Sequence, residues 1–341
     1  MAKVCLLGGI VSLFAGAVFA KGTLQLPPEQ PITLDTETGA ISGTLQLPAN
    51  SARPRVALLI AGSGPTDRDG NSPGPKGNNN SLKQLSRALA DAGYASVRYD
   101  KRGIGASATA GPTESDLRFG TYVSDAVAWL KKLKVDPRFA APFVIGHSEG
   151  ALIGMQAAYS AEAAALVSIA GSADTASTLL RQQLQSNLPK DLLLENERIL
   201  SALERGELVR NVPAALTPLY RPSVQPYLIS WFKVSPRARI TELTIPVLIV
   251  QGTTDIQVSL DQAKALKAAK PNAVLAVIPG MNHVLKEVTA DLAEQAASYG
   301  DPSLPLHSKL APTIISFLRE YLDPAGRTLP PSAVSTEQLQ K

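Results

Sequence analysis

The run Phe-Val-Ile-Gly-His-Ser-Glu-Gly-Ala-Leu-Ile-Gly-Met at 143–155 limits what this chain can fold into more than any other stretch. A short apolar segment reaches Gly146-His147-Ser148-Glu149-Gly150 and passes at once into small and apolar residues at helical spacing. The pattern predicts a strand, a sharp turn carrying Ser148, and a helix. So tight a turn strains the backbone, and Gly146 and Gly150 lack the β-carbons that would collide with neighbouring chain. A five-residue motif of common residues also arises by chance, so a nucleophilic serine here needs a base and an acid from elsewhere in the sequence.

The rest of the chain supplies a rhythm in which such a turn makes sense. Residues 31–48 alternate around Thr38-Gly39 and predict an antiparallel hairpin. A continuous apolar run follows at 55–61, as expected of a strand covered on both faces, and further strands are read at 95–99, 164–170, 245–250 and 273–278. Between them lie helical patterns: 81–92 with Ser81 as its cap, a stretch marked by Tyr122, Ala126, Leu130 and Leu133, then 260–269, and finally 308–322. This predicts an α/β fold with a mostly parallel central sheet and helices on both faces. Residues 172–240 break the rhythm with Leu-rich helical stretches and a segment containing Trp231 and Phe232. They are read as a largely helical cap inserted over the carboxyl ends of the strands, where such sheets bind ligands. The expected core is therefore 21–171 with 241–323.

The first twenty residues are set apart as a signal peptide. Lys3 precedes an uncharged apolar run at 4–19, and Val18-Phe19-Ala20 ends in the small residues that export cleavage requires. Export to the periplasm or beyond is the expectation, with no stable membrane span once the signal is removed and residues 324–341 as a loose, Pro- and Gln-rich tail. Cys5, the only cysteine, lies inside the signal, so thiol catalysis and cysteine metal sites are excluded from a mature chain. Net charge is +4 and scattered, with no basic stripe interleaved with aromatics, which argues against nucleic acid as a partner.

Three histidines are candidates for the base. His147 adjoins Ser148 on the turn and points away from it, so it is assigned to packing or hydrogen bonding. His307 opens the last helix and is expected at the surface. His283, in Pro279-Gly280-Met281-Asn282-His283, directly follows a strand and falls at the same sheet edge as Ser148. Asp255, after Gly252-Thr253-Thr254, also follows a strand. The chain order Ser148, Asp255, His283 is the one this architecture requires of a triad. Two backbone donors are needed for an oxyanion. Glu149 supplies one N–H at the start of its helix, and Ser63, in Gly62-Ser63-Gly64 after residues 55–61, supplies the other. Trp231 in the cap is a candidate substrate-binding residue. Gly103-Ile104-Gly105 follows a strand but leads into a loop, so no dinucleotide site is assigned to it. Asp67-Arg68-Asp69 is read as a salt-bridged loop rather than a metal site. Neither a metal nor an organic cofactor is expected.

These segments together resemble the α/β-hydrolase superfamily, and within it bacterial esterases and acyl-hydrolases related to dienelactone hydrolases and serine aminopeptidases. The likeness rests on Gly62-Ser63-Gly64-Pro65-Thr66-Asp67-Arg68-Asp69-Gly70-Asn71, Arg98-Tyr99-Asp100-Lys101-Arg102-Gly103-Ile104-Gly105-Ala106-Ser107, the Ser148 motif, Gly252-Thr253-Thr254-Asp255 and Gly280-Met281-Asn282-His283. It implies an α/β-hydrolase fold and a Ser148–His283–Asp255 triad acting on a small-molecule ester through an acyl-serine. Serine replaces the cysteine nucleophile of dienelactone hydrolases proper, so their lactone chemistry is not carried over. Peptide or thioester hydrolysis by the same triad, and a non-catalytic binding protein on the same fold, are the rival expectations. Acyl specificity and oligomeric state are not written in the sequence.

Overall fold

Five consecutive strands are buried along their whole length, which explains why their sequences are mainly apolar, with Ser96 and Arg98 of one of them buried as well. They are β3 (Val56–Ile60), β4 (Ala95–Tyr99), β5 (Phe143–His147), β6 (Leu166–Ile169) and β7 (Val247–Gly252). A hairpin of β1 (Gln30–Thr36) and β2 (Gly39–Gln46) precedes them, and β8 (Val274–Ile278) closes the far edge. These elements come from a computed structural model of the protein, which describes residues 25–73, 77–111, 113–185 and 188–323. The expected signal segment and C-terminal tail lie outside the described residues.

The eight strands form one sheet in the order β1-β2-β4-β3-β5-β6-β7-β8. The β1–β2 and β2–β4 pairs are antiparallel, and every other pair is parallel. Parallel neighbours need crossover helices, and these divide between the two faces. On one face, α1 (Ser81–Asp91) and α11 (Leu310–Tyr321) cover Ala57, Leu59 and Ile145. On the other, α2 (Phe119–Val135) and α3 (Glu149–Ala161) cover Val56, Leu58 and Ile60, and α9 (Leu260–Ala269) packs on β7 and β8. Adjacent residues of β3 thus belong to different cores, as the period-2 alternation of a strand demands.

Residues 172–240 are helical, as expected: α4 (Ala176–Gln185), α5 (Lys190–Glu204), α6 (Thr217–Tyr220), α7 (Gln225–Phe232) and α8 (Pro236–Thr241). Ile199, Leu203, Tyr220 and Leu228 are buried in the same cluster as α2 and α3, so the cap is an extension of one core rather than a separate one. The last crossover region adds α10 (Leu292–Ser298) before α11. Among the described residues, no helix is long and apolar enough to cross a membrane.

Two local expectations are corrected. Ser81 is the first helical residue of α1 and not its cap; Asn80 holds that place in a left-handed conformation (φ 52°). The free amides of the first turn are met by the preceding loop instead: Asn79 Oδ1 accepts from Ser81 N at 3.0 Å, and Asp69 O accepts from Leu82 N at 3.0 Å. The loop before α1 is thereby part of the helix start. His307 is buried, not exposed (3%); its backbone N–H donates to Leu285 O, and Nε2 donates to Pro279 O at 3.0 Å.

Buried charges at the end of β4 are each paired. Arg102 meets Asp125 of α2 through two bonds of 2.6 Å, with both side chains under 10% exposed. Removing one partner of a buried pair strands the other charge, so Asp125→Ala should lower unfolding stability by about 3–5 kcal/mol, measured by urea titration.

Candidate active site

Ser148 stands between β5 and α3 at φ 55° and ψ −121°, a conformation an L-residue adopts only under constraint. The constraint is backbone contact. A β-carbon on Gly146 would lie 2.2 Å from Gly150 O, and one on Gly150 would lie 2.2 Å from Ile60 O. Ser148 N donates to Ile169 O at 2.9 Å and Ser148 O accepts from Ala151 N at 3.0 Å, so the turn is held by β6 and by its own helix. Gly62 packs against it: a β-carbon there would be 3.2 Å from Ser148 Cβ.

The structure brings His283 and Asp255 together. His283 Nδ1 donates to Asp255 Oδ2 at 2.9 Å, with both side chains nearly sealed from solvent. Their loops are stitched to each other, with Thr254 N donating to Met281 O and Gly280 N to Thr253 Oγ1. Gly252 has no room for a β-carbon, which would fall 1.9 Å from Met281 O. Asp255 also accepts from Gln257 N at 2.8 Å and Val258 N at 2.9 Å through Oδ1, and from Gln251 Nε2 through Oδ2. Burial opposes its charge, but the facing His283 and these donors outweigh it and hold the carboxyl below its ordinary value. Oδ1 thus holds the loop at Gln257 and Val258, while Oδ2 meets His283 and Gln251.

His147 serves the neighbouring loop. Its Nε2 donates to His283 O at 2.8 Å, and the two rings lie 4.8 Å apart. Burial, and next the proximity of His283, push His147 down to about 3.

Ser148 opens into a cavity of about 630 Å³ between sheet edge and cap. Ser63 and Glu149, the two expected backbone donors, line it beside Ser148. The cap contributes apolar walls, among them Leu179, Leu180, Leu228 and Trp231. Trp231 stacks on Phe119 of α2 with ring centres 5.9 Å apart and planes 1° from parallel. At one side Arg221 of the cap pairs with Glu114 of the core, and Ser223 donates to the same carboxylate.

The Glu149 carboxylate takes part in a buried ion pair. It lies buried between Lys101 Nζ, at 3.0 Å, and the Tyr227 hydroxyl of α7. Lys101 also donates to Gly62 O at 2.5 Å and sits over the Tyr122 ring, 5.0 Å from its centre. A lysine at the end of a buried strand, immediately after Asp100, was the available signal. Asp67-Arg68-Asp69 is salt-bridged, with Arg68 on Asp100 and Asp69 on Arg98. Among the described residues, no three His, Cys, Asp or Glu side chains converge to hold a metal ion.

The buried, neutral His147 has a measurable consequence. The unfolded chain takes up a proton near pH 6.5 and the folded protein does not until about pH 3, so stability falls as pH drops through that window. The slope from this one group is about 1.4 kcal/mol per pH unit. His147→Gln keeps a donor for His283 O and should flatten that slope in urea titrations at pH 7, 6 and 5.

Comparisons with known proteins agree with this architecture. The family model described as Hydrolase_4, serine aminopeptidase, S33, matches residues 74–287, more than half of the chain. Esterase EstD of Thermotoga maritima is 27% identical over 281 residues, covering 80% of this chain and 66% of that protein, slightly under two thirds of its length. Among solved structures, Est1E of Butyrivibrio proteoclasticus with ferulic acid bound superposes with TM-score 0.57 at 17% identity, over 86% of this chain and 99% of that one. The alpha/beta hydrolase GrgF of Penicillium sp. sh18 does so at 0.57 and 18%, over 87% and 100%. With its strand order, its strained serine turn and a family match spanning the serine and the histidine, the chain belongs to the serine aminopeptidase-like Hydrolase_4 family and has the α/β-hydrolase fold.

Proposed function

We propose that the protein is an exported serine hydrolase that cleaves carboxylic esters through an acyl-serine intermediate. The observation that carries this reading is the His283–Asp255 pair, held at 2.9 Å at the sheet edge where the Ser148 turn opens into a cap-walled cavity. With Nδ1–H given to Asp255, His283 presents an unprotonated Nε2 as base. Ser148 Oγ attacks the acyl carbon while His283 takes its proton. The N–H groups of Ser63 and Glu149 hold the tetrahedral oxyanion. As the intermediate collapses, His283 returns the proton to the departing alcohol. Water, deprotonated by His283, then attacks the acyl-serine and releases the acid and Ser148. Asp255 stabilises the imidazolium in both halves of the cycle.

Ester rather than peptide cleavage is favoured by the charges in the cavity. An aminopeptidase needs a free carboxylate for the substrate's ammonium group, and among the described residues the acidic ones lining this cavity, Glu149 and Glu114, are already paired with Lys101 and Arg221. The apolar cap walls suit an aliphatic or aryl acyl group instead. Export is supported by Lys3 and the apolar run before Ala20.

Ser148→Ala should abolish turnover of p-nitrophenyl esters and labelling by a fluorophosphonate while leaving the unfolding curve in place. Wild-type rates in that variant would exclude the mechanism. Asp255→Asn, which holds His283 in the wrong tautomer, should lower kcat by roughly 10³–10⁴. Across esters of graded acyl length, kcat/KM should rise above acetyl by up to about fourfold per methylene that the cap buries. Aminoacyl anilides turned over faster than any ester would favour the peptidase instead. The secreted form should begin at Lys21 on N-terminal sequencing.

A further inference from the structure

Lys101 is an unusual residue for the place it occupies. Its side chain is 1% exposed and its ion-pair partner Glu149 is 2% exposed, at the junction of core and cap. An apolar pair of the same volume is commonly as stable as a buried ion pair, so stability alone does not account for the charges. What Lys101 touches is more informative. Its ammonium donates to Gly62 O at 2.5 Å and to Glu149 Oε2 at 3.0 Å.

These acceptors belong to the two units whose N–H groups face the oxyanion in the reading above. Gly62 C=O and Ser63 N–H are parts of one planar trans peptide and point in opposite directions. Drawing Gly62 O onto Lys101 therefore turns Ser63 N–H away from the lysine and fixes the plane in which it lies. A charged donor on the carbonyl also polarises the peptide, which strengthens its N–H as a donor. Glu149, the second unit, begins α3 directly after Ser148, and Lys101 grips it through the side chain while its N–H stays free for the site. Gly62 itself packs on Ser148, so a shift in this peptide is a shift beside the nucleophile. Tyr227 of the cap donates to the other oxygen of the Glu149 carboxylate.

We infer that Lys101 is a positioning residue that holds both backbone donors of the oxyanion site in register, the Gly62–Ser63 peptide by its carbonyl and Glu149 by its carboxylate, with Tyr227 tying that clamp to the cap. The inference rests on the hydrolase reading and deepens it. Lys101 touches neither the reacting bond nor the oxyanion, and acts through the peptide units it grips. Its loss should therefore weaken transition-state stabilisation much more than ground-state binding.

The test uses the full-length protein in three forms: wild type, the neutral pair Lys101→Met with Glu149→Gln, and Tyr227→Phe. Steady-state rates on p-nitrophenyl butyrate are combined with the affinities of two inhibitors. A trifluoromethyl ketone forms an oxyanion adduct with the serine; the matching secondary amide forms none. The neutral pair should lower kcat roughly 10- to 100-fold, short of the 10²–10³ that follows outright removal of a donor, with KM within about threefold. Affinity for the trifluoromethyl ketone should fall in parallel and that for the amide should not. Tyr227→Phe keeps the ion pair and should show the same pattern at about three- to tenfold.

A folded neutral pair with kcat within about twofold of wild type overturns the inference, as does equal loss of affinity for both inhibitors, which marks a general collapse of the cavity. Should the neutral pair not fold, Tyr227→Phe decides alone: the selective loss supports the clamp, and wild-type kcat and affinities overturn it. Wild-type protein that neither turns over esters nor takes up a fluorophosphonate overturns the hydrolase reading itself. Active wild type with unaffected variants overturns only the role of Lys101.

Discussion

Three backbones touch around Ser148 where side chains would ordinarily stand, and the rest of the structure is arranged to keep them there. Gly146 lies against the start of α3, Gly150 against the end of β3, and Gly62 against Ser148 itself. A β-carbon at Gly146 or Gly150 would force main chain to move, and one at Gly62 would press on the Ser148 side chain. The strain of the turn persists because β6 and the first turn of α3 hydrogen-bond the serine from both sides. A serine so held is presented at the carboxyl edge of the sheet with little freedom, which is what an oriented nucleophile requires.

Electrostatics at the same edge follow from the need to satisfy charges that burial would otherwise penalise. The end of β4 carries Arg98, Asp100, Lys101 and Arg102, all of them buried. Arg98 reaches Asp69 and Glu29, Asp100 reaches Arg68, Arg102 reaches Asp125, and Lys101 reaches Glu149. Gly105 must lack a side chain because a β-carbon would fall 2.5 Å from Asp100 Oδ2. Two of these pairs fasten the loop before α1, through Asp69 and Arg68; the others reach Glu29 ahead of β1, the helix α2, and α3 directly after Ser148. The string of residues from Arg98 to Ser107 thus works as a junction, and Lys101 lines the cavity together with Gly103 and Ile104.

Much of the site was legible because its signals are local. The strand–turn–helix at Ser148 follows from residues within one short run. Asp255 follows the buried β7 and His283 follows the partly exposed edge strand β8, and parallel strands deliver their carboxyl ends to one edge whatever the detail of packing. The Leu-rich break at 172–240 was visible as a cap for the same reason. His307 was misplaced at the surface because nothing in its neighbours announces that the 283–307 loop folds over it. Ser81 looked like a cap because serine before an apolar helix usually is one, while here Asn79, Asn80 and Asp69 take over its task.

Local patterns carried the succession of strands and helices, the tight turn at Ser148, and the placing of Asp255 and His283 after strands that end at its edge, since each depends on runs a few residues long. Which buried charges meet was decided by the tertiary structure alone. Lys101 is 39 residues from Gly62 and 48 from Glu149, and Tyr227 is 78 from Glu149. No periodicity carries such pairings. They arise where the cap closes over the sheet and excludes water, leaving a carboxylate, an ammonium, a phenol hydroxyl and a carbonyl to satisfy one another.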